Sequence, residues 1–181
     1  GHASTFVWAD LLAHLARLVG IKTVTSRNVT DIDDVLTAAA DRRQRHYDEL
    51  AATSEFDFER DMSHLNVMRP DLAPRVRGHV PQVIQVCAAL LALDRAYQID
   101  GTVYFAAPGD LDTGGLDEAG AAAAFAEFGD AAEDQRRRAW DVPLWKPSGE
   151  GDPAWPSPWG WGRPAWHVGC AAMATTVFGA S

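Results

Sequence analysis

The sequence has 181 residues, 47% of them hydrophobic, and a formal net charge of -9 at pH 7. That length and composition fit one domain, or a domain with an insertion, that buries a proper core, and they exclude global disorder. The acidic balance argues against nucleic-acid binding driven by overall charge, so any contact with RNA needs a local basic patch or a segment outside the chain.

In chain order, Phe6, Val7, Leu11, Leu12, Leu15, Leu18 and Val19 recur at helical spacing. They predict a helix over 3–19 with one buried face, stopped at Gly20. Ile21 to Thr25 alternates and is β-branched, which predicts a strand. Residues 28–34 form a loop leading into helical sequence over 33–65, with a break near Thr53-Ser54. Pro70 and Pro74 mark a further loop. Residues 78–97 are the most apolar helical stretch, and Cys87 inside it reads as core. Thr102 to Phe105 predicts a short strand. Residues 106–138, rich in Gly, Ala, Asp and Glu, read as an insertion with a helix over 119–128, and Arg136, Arg137 and Arg138 as a solvated helix end. Residues 147–164 read as a loop holding three tryptophans, followed by a helix from about Cys170. Helix, strand, helix, helix, strand indicates an α/β layer fold. Two strands do not complete a parallel sheet, so strands outside the chain are expected, or a smaller fold.

Cys87 and Cys170 lie far apart and make no disulfide framework, which points to a reducing, cytoplasmic setting. No apolar run is long enough to span a membrane. The start, Gly1 to Phe6, has no initiator Met and no basic leader, so the chain is expected to begin inside a longer or processed protein.

Three stretches carry candidate chemistry. Gly1-His2 precedes a predicted helix, whose unpaired N–H groups suit a phosphate and where a His can donate to a phosphate oxygen; a disordered terminal His is the plainer alternative. Asn28 to Asp34 lies between a predicted strand and a predicted helix, where open α/β sheets bind ligands. Thr30 and Asp31 are suited to hold amino or hydroxyl groups and equally suited to cap the helix. Asp33 and Asp34 read as capping and first-turn acids. Trp155 to Cys170 packs many Trp and Pro residues into one rigid loop, either a pocket wall or a core plug. His167 and Cys170 share a helix face and are zinc-ligand types, but two ligands do not make a site.

These stretches occur in an order that resembles the cysteinyl-tRNA synthetases, a class I aminoacyl-tRNA synthetase family. Gly1-His2-Ala3 resembles the end of the HIGH signature, followed by Phe6 and Asp10. Residues 27–34, Arg-Asn-Val-Thr-Asp-Ile-Asp-Asp, resemble R-N-[IV]-T-D-I-D-D. Asp61-Met62 with Leu65, and Pro74-Arg75 with His79, match the following helices; Ala96-Tyr97 and Val103-Tyr104-Phe105 match the entry to a connective insertion. Leu144-Trp145-Lys146 resembles L-W-K. Residues 157–170 resemble S-P-W-G-x-G-R-P-G-W-H-I-E-C.

The resemblance implies an α/β fold: a partial Rossmann-like (HUP-type) class I synthetase catalytic domain. Its first part would be 1–96, a short connective insertion 97–152, and the start of its second half 153–181. It implies ATP-dependent formation of cysteinyl-adenylate from L-cysteine and transfer to tRNA(Cys), with no DNA or membrane partner. Gly1 and His2 would bind ATP, His2 steadying the α-phosphate during catalysis. Thr30, Asp31 and Trp166 would line the amino-acid pocket, and Cys170 would be one ligand of a Zn2+ that favours a thiolate over a hydroxyl.

The departures bear on this expectation. Gly169 stands in place of Glu, Ala165 in place of Gly, and Ala171 where Ser is common. The first signature His and an upstream zinc Cys would precede Gly1. Further zinc ligands, the KMSKS loop and an anticodon-binding domain would follow Ser181. Activity of these residues alone is therefore not expected. Two alternatives stay open: the related ligase that joins cysteine to glucosaminyl-inositol in mycothiol synthesis, towards which Val168 and Ala171-Ala172 lean, and a non-catalytic paralogue that binds a ligand or partner.

Overall fold

Gly20 ends the first helix, α1 (Ala3–Leu18), in a Schellman arrangement. Ile21 N donates to Ala16 O at 2.9 Å and Gly20 N to Arg17 O at 3.0 Å, with Gly20 at φ 82°. The structure, a computed structural model, describes residues 3–109, 114–127, 135–138 and 140–179.

The expected buried face of α1 is not covered by the described residues. Ala13 is its one buried residue, while Trp8 and Leu12 are each 64% exposed and Leu18 81%. The helix is held instead by specific contacts. Phe6 meets Phe58 edge-on at 4.9 Å, Asp10 Oδ1 accepts from Met68 N at 3.1 Å, and Arg17 donates to Thr23 Oγ1 at 2.9 Å.

The expected strand over 21–25 is not formed. The chain runs extended there and makes isolated parallel bridges further on, Ser26 with Leu72 and Val29 with Arg75. Two bridges satisfy a few backbone groups without building a ladder. The Pro70–Pro74 loop supplies the other side, with Arg27 N donating to Leu72 O and Val29 N to Pro74 O. The helical stretch splits into α2 (Asp34–Arg42) and α3 (Tyr47–His64), with its break at 43–46 and not at Thr53-Ser54. Gln44 takes φ 53° at that break, and Thr53 stays helical by returning its hydroxyl to Glu49 O at 2.7 Å. A 3-10 turn over Arg77–His79 leads into α4 (Val80–Ala92), with Pro81 in the first turn where no N–H is needed.

Four strands form one antiparallel sheet in chain order: β1 (Ala96–Ile99), β2 (Thr102–Phe105), β3 (Val142–Pro147) and β4 (Gly162–Pro164). Asp100 and Gly101 both take positive φ, 47° and 84°, which makes the tight β1–β2 hairpin turn and matches the strand twist. Here β4 corrects the sequence reading of 147–164 as all loop, and β3 forms in a stretch to which the sequence assigned no element. Trp155 N and Gly162 N exchange hydrogen bonds with each other's carbonyls, closing that loop on itself. Between β2 and β3 lies the excursion that carries α5 (Glu118–Glu127), close to the expected helix. The last helix, α6 (Trp166–Phe178), begins four residues earlier than expected, because Ala165 is extended and the helix follows directly from β4.

Helices α4 and α6 cover the sheet. Val80, Val83, Cys87, Val103, Leu144, Trp145, Val168 and Ala172 form the main core. Burial pushes the Cys87 thiol up to about 12, consistent with a packing role. A smaller cluster of Ile32, Val76 and Met173, with Trp155 and Cys170 against it, joins the 28–34 loop to α6.

The base of the excursion is closed by Asp141, which is buried. Its carboxylate accepts from Tyr97 Oη at 2.6 Å, Ala107 N at 2.9 Å and Arg138 N at 3.0 Å. Arg137 lies 4.1 Å over the Tyr97 ring, and Arg136 donates to Asp141 O. Arg137 and Arg138 are exposed, in keeping with a solvated segment, but the triplet also packs at the base of the excursion: the Arg138 backbone N–H reaches the Asp141 carboxylate, Arg136 the Asp141 carbonyl and Arg137 the Tyr97 ring. Burial, with the hydrogen bond to Asp141, pushes Tyr97 up to about 12.

Gly162 sits where a side chain has no room. A Cβ there would lie 2.4 Å from both Lys146 O and Trp145 Nε1. Gly162→Ala in the full-length protein is expected to force β3 and β4 apart at a cost of about 1–3 kcal/mol. Thermal denaturation checks this, as a fall in Tm of roughly 2–12 °C.

Candidate functional site

The 28–34 loop is tied down residue by residue. Val29 O accepts from Val76 N at 3.2 Å, Asp31 Oδ1 from Arg77 N at 3.1 Å, and Ile32 is sealed in the smaller core. Asp33 caps α2, its carboxylate accepting from Leu36 N at 2.5 Å, as the sequence suggested. Burial raises its pKa above the ordinary 3.8, against the lowering effect of that hydrogen bond, and the nearby Asp34 charge adds to the rise.

Asp34 is more than a first-turn acid, and this corrects the sequence reading. Its Oδ2 accepts from Lys146 Nζ on β3 at 2.6 Å, and its Oδ1 from Arg163 Nε and Nη2 on β4 at 3.0 and 2.9 Å. Lys146 is buried, only 6% exposed. Burial on its own would raise the Asp34 pKa, but the hydrogen bonds and charges of Lys146 and Arg163 together outweigh it and hold the pKa below 3.8. Arg163 also donates to Pro147 O at 2.9 Å and Ser148 Oγ at 3.3 Å, so its fork is fixed.

Above this clamp lies a cavity of about 240 Å³ between the loop, α3 and the start of α1. Asn28, Val29, Thr30 and Asp31 line one side, Phe58, Glu55 and Glu59 the other, with Phe6 and Leu36 completing the wall. Arg27 pairs with Glu59 and stacks 4.8 Å over the Phe58 ring. Arg75 holds Glu55 through both guanidinium nitrogens, at 2.7 and 2.5 Å. The lining is thus mainly apolar with a few polar groups from Asn28, Thr30 and Asp31, a combination suited to a small ligand with an apolar side chain and a polar end.

Of the expected site residues, the structure brings Thr30 and Asp31 together at this cavity. Trp166 and Cys170 stand one helical turn apart on α6 and do not line it. Trp166 is 39% exposed, its ring 5.2 Å from that of His167. Half-buried Cys170 packs against Ile32, Val76 and Met173. Gly1 and His2 lie outside the described residues. Cys170 lacks the surroundings of a zinc site: among the described residues no group of three or more His, Cys, Asp or Glu gathers that could hold a metal.

Sequence reasoning missed Lys146 and Arg163. A cation inside the apolar strings Leu-Trp-Lys-Pro and Gly-Arg-Pro signals a buried charge in need of a partner, but nothing in the spacing says that the partner is 112 or 129 residues away.

The clamp has a pH signature. Because the folded pKa of Asp34 lies below its ordinary 3.8, the stabilisation is complete above 3.8 and is lost as pH falls through the lower folded value. Asp34→Asn in the full-length protein is expected to cost about 1–3 kcal/mol near neutral pH. The gap between wild type and variant should narrow as pH falls below 3.8, because Asp34 takes up a proton in the wild type and loses its charge pairing, while Asp33 titrates in both proteins; urea unfolding across pH measures it.

Comparison with known proteins identifies the family of the chain. The family model for the class I (C) tRNA synthetase catalytic domain matches residues 1–181. A cysteine--tRNA ligase of Cronobacter sakazakii is 37% identical over 174 residues, covering 96% of this chain and 38% of the relative. One from Shigella flexneri is 39% identical over 179 residues, and one from Edwardsiella ictaluri 38% over 174, with the same shares covered. The chain thus spans about two fifths of the length of the curated relatives it matches. With its motifs in order and the family match running from end to end, the chain belongs to the class I (C) tRNA synthetase catalytic-domain family.

Proposed function

We propose that the full-length protein activates L-cysteine with ATP and transfers it to tRNA(Cys), in a cytoplasmic setting. The observation that carries this reading is the end-to-end family match, together with a cavity lined in part by the very stretch, Asn28 to Asp31, that resembles the family's signature. In the first step a carboxylate oxygen of cysteine attacks the α-phosphorus of ATP, and pyrophosphate leaves. In the second a terminal ribose hydroxyl of the tRNA attacks the acyl carbon, and AMP leaves.

The residues divide these tasks by type. Asp31 and the Thr30 hydroxyl are a carboxylate and a donor–acceptor group at the cavity, suited to the ammonium of an amino acid. Trp166, at the start of α6, stands outside this cavity and takes no part in the reading. Gly1 and His2 bind ATP, and His2 donates to the α-phosphate as negative charge develops. Residues 1–96 act as the first part of the catalytic domain, 97–152 as the connective insertion and 153–181 as the start of the second half. Cys170 offers one sulfur ligand, and because no group of three or more metal-ligand residues gathers among the described residues, no step is routed through zinc. Among the described residues no helix is long and apolar enough to cross a membrane.

Cysteine-dependent ATP–pyrophosphate exchange by the full-length protein tests the first step. Thr30→Val is expected to raise KM for cysteine about tenfold, and His2→Ala to lower kcat by roughly a hundredfold. Charging of tRNA(Cys) against glucosaminyl-inositol as acceptor decides the second step. Exchange that responds equally to serine, or no exchange at all, rejects the reading.

A further inference from the structure

Residues on both sides of Asp34 line the same cavity. Thr30 and Asp31 precede it and Leu36 follows, so wherever Asp34 is held, the cavity wall is held. What holds it is two cations side by side. Lys146 and Arg163 are partners across the β3–β4 ladder, and both reach Asp34. Side by side on one sheet, the two cations repel each other unless carboxylates offset them; Asp152 reaches Arg163 at 3.4 Å, and one carboxylate meets both cations. Asp34 does so with both oxygens, at 2.6 Å to Lys146 and 2.9–3.0 Å to Arg163. Neither cation lines the cavity.

We propose that Lys146 and Arg163 are positioning residues, which act through Asp34 to hold Thr30, Asp31 and Leu36 at the shape of the amino-acid pocket; this rests on that cavity being the cysteine site. The bridge at Val29 and the core contact of Ile32 fix the backbone of the loop. The Asp33 cap and the packing against α3 hold the rest of α2, and Asp34 ties its N-terminus to the sheet. Without the clamp, Asp34 turns towards water, α2 swings, and Leu36 withdraws from the wall. Residues that bind ATP lie elsewhere in the reading above, so the effect is specific to the amino acid.

The experiment uses the full-length protein with Lys146→Met, Lys146→Arg and Asp34→Asn. Two readouts are taken: KM for cysteine and for ATP in pyrophosphate exchange, and backbone hydrogen exchange over residues 28–36. Lys146→Met and Asp34→Asn are expected to raise KM for cysteine about tenfold while KM for ATP changes less than about twofold. Exchange at 28–36 should quicken ahead of α4 and the sheet, and Lys146→Arg should restore most of both. Unchanged exchange at 28–36, or a uniform rise over the whole chain with both KM values climbing together, overturns the proposal. If the wild-type protein shows no cysteine-dependent exchange, the functional reading fails; hydrogen exchange still judges the clamp, and unchanged protection at 28–36 would refute it independently.

Discussion

A carboxylate at the start of one helix, shared by two cations on adjacent strands, joins the two halves of this structure. Asp34 belongs to the helical half and Lys146 and Arg163 to the sheet. Desolvating three charges is costly, and the cost is offset only when hydrogen bonds use up both oxygens and aim the donors well. Here both oxygens are used, and the Arg163 fork is further fixed by Pro147 O and Ser148 Oγ. The energetic return over an apolar contact is modest, but the geometric return is large. A charge pair of this kind has one satisfactory arrangement, whereas an apolar contact at the same place tolerates sliding.

Close approach of backbones depends on the same region. Gly162 lets β4 lie against Trp145 and the Lys146 carbonyl, which brings Arg163 beside Lys146. Gly169 plays a related part on α6. A Cβ there would come within 3.1 Å of Val76 Cγ2 and 3.2 Å of its Cγ1, so the small residue lets α6 rest on the cluster that also seals Ile32. The departure from Glu at this position thus has a physical counterpart: Val76 occupies the space a side chain would need. The excursion between β2 and β3 is fastened independently. Asp141, Tyr97 and the arginines close its base without touching the cavity residues, so changes in the excursion's length are separable from the pocket.

Much of the local structure was legible in the sequence. Apolar spacing marked α1 and α4, the β-branched and aromatic run marked β2, and Asp33 was recognisable as a cap from its type and place. What failed was local pattern without tertiary support. Ile21 to Thr25 alternates like a strand but, beyond the end of α1, pairs with neighbouring backbone only at Thr25, and the apolar stripe of α1 finds no covering surface among the described residues. Three-residue β4 was too short to announce itself between Trp161 and Ala165.

The sequence by itself determined the family, through motifs whose order survives without any geometry, and it placed Thr30 and Asp31 on a loop before a helix. Only the tertiary structure decided that Asp34 is a bridge, that the arginine triplet packs at the base of the excursion beside a buried carboxylate, and that Cys170 packs against Ile32 while standing apart from the cavity. The physical reason is separation along the chain. Capping and helical periodicity act over a few residues and are written in the local pattern. A salt bridge spanning 112 or 129 residues is specified by how the sheet and helices pack, which no local window contains.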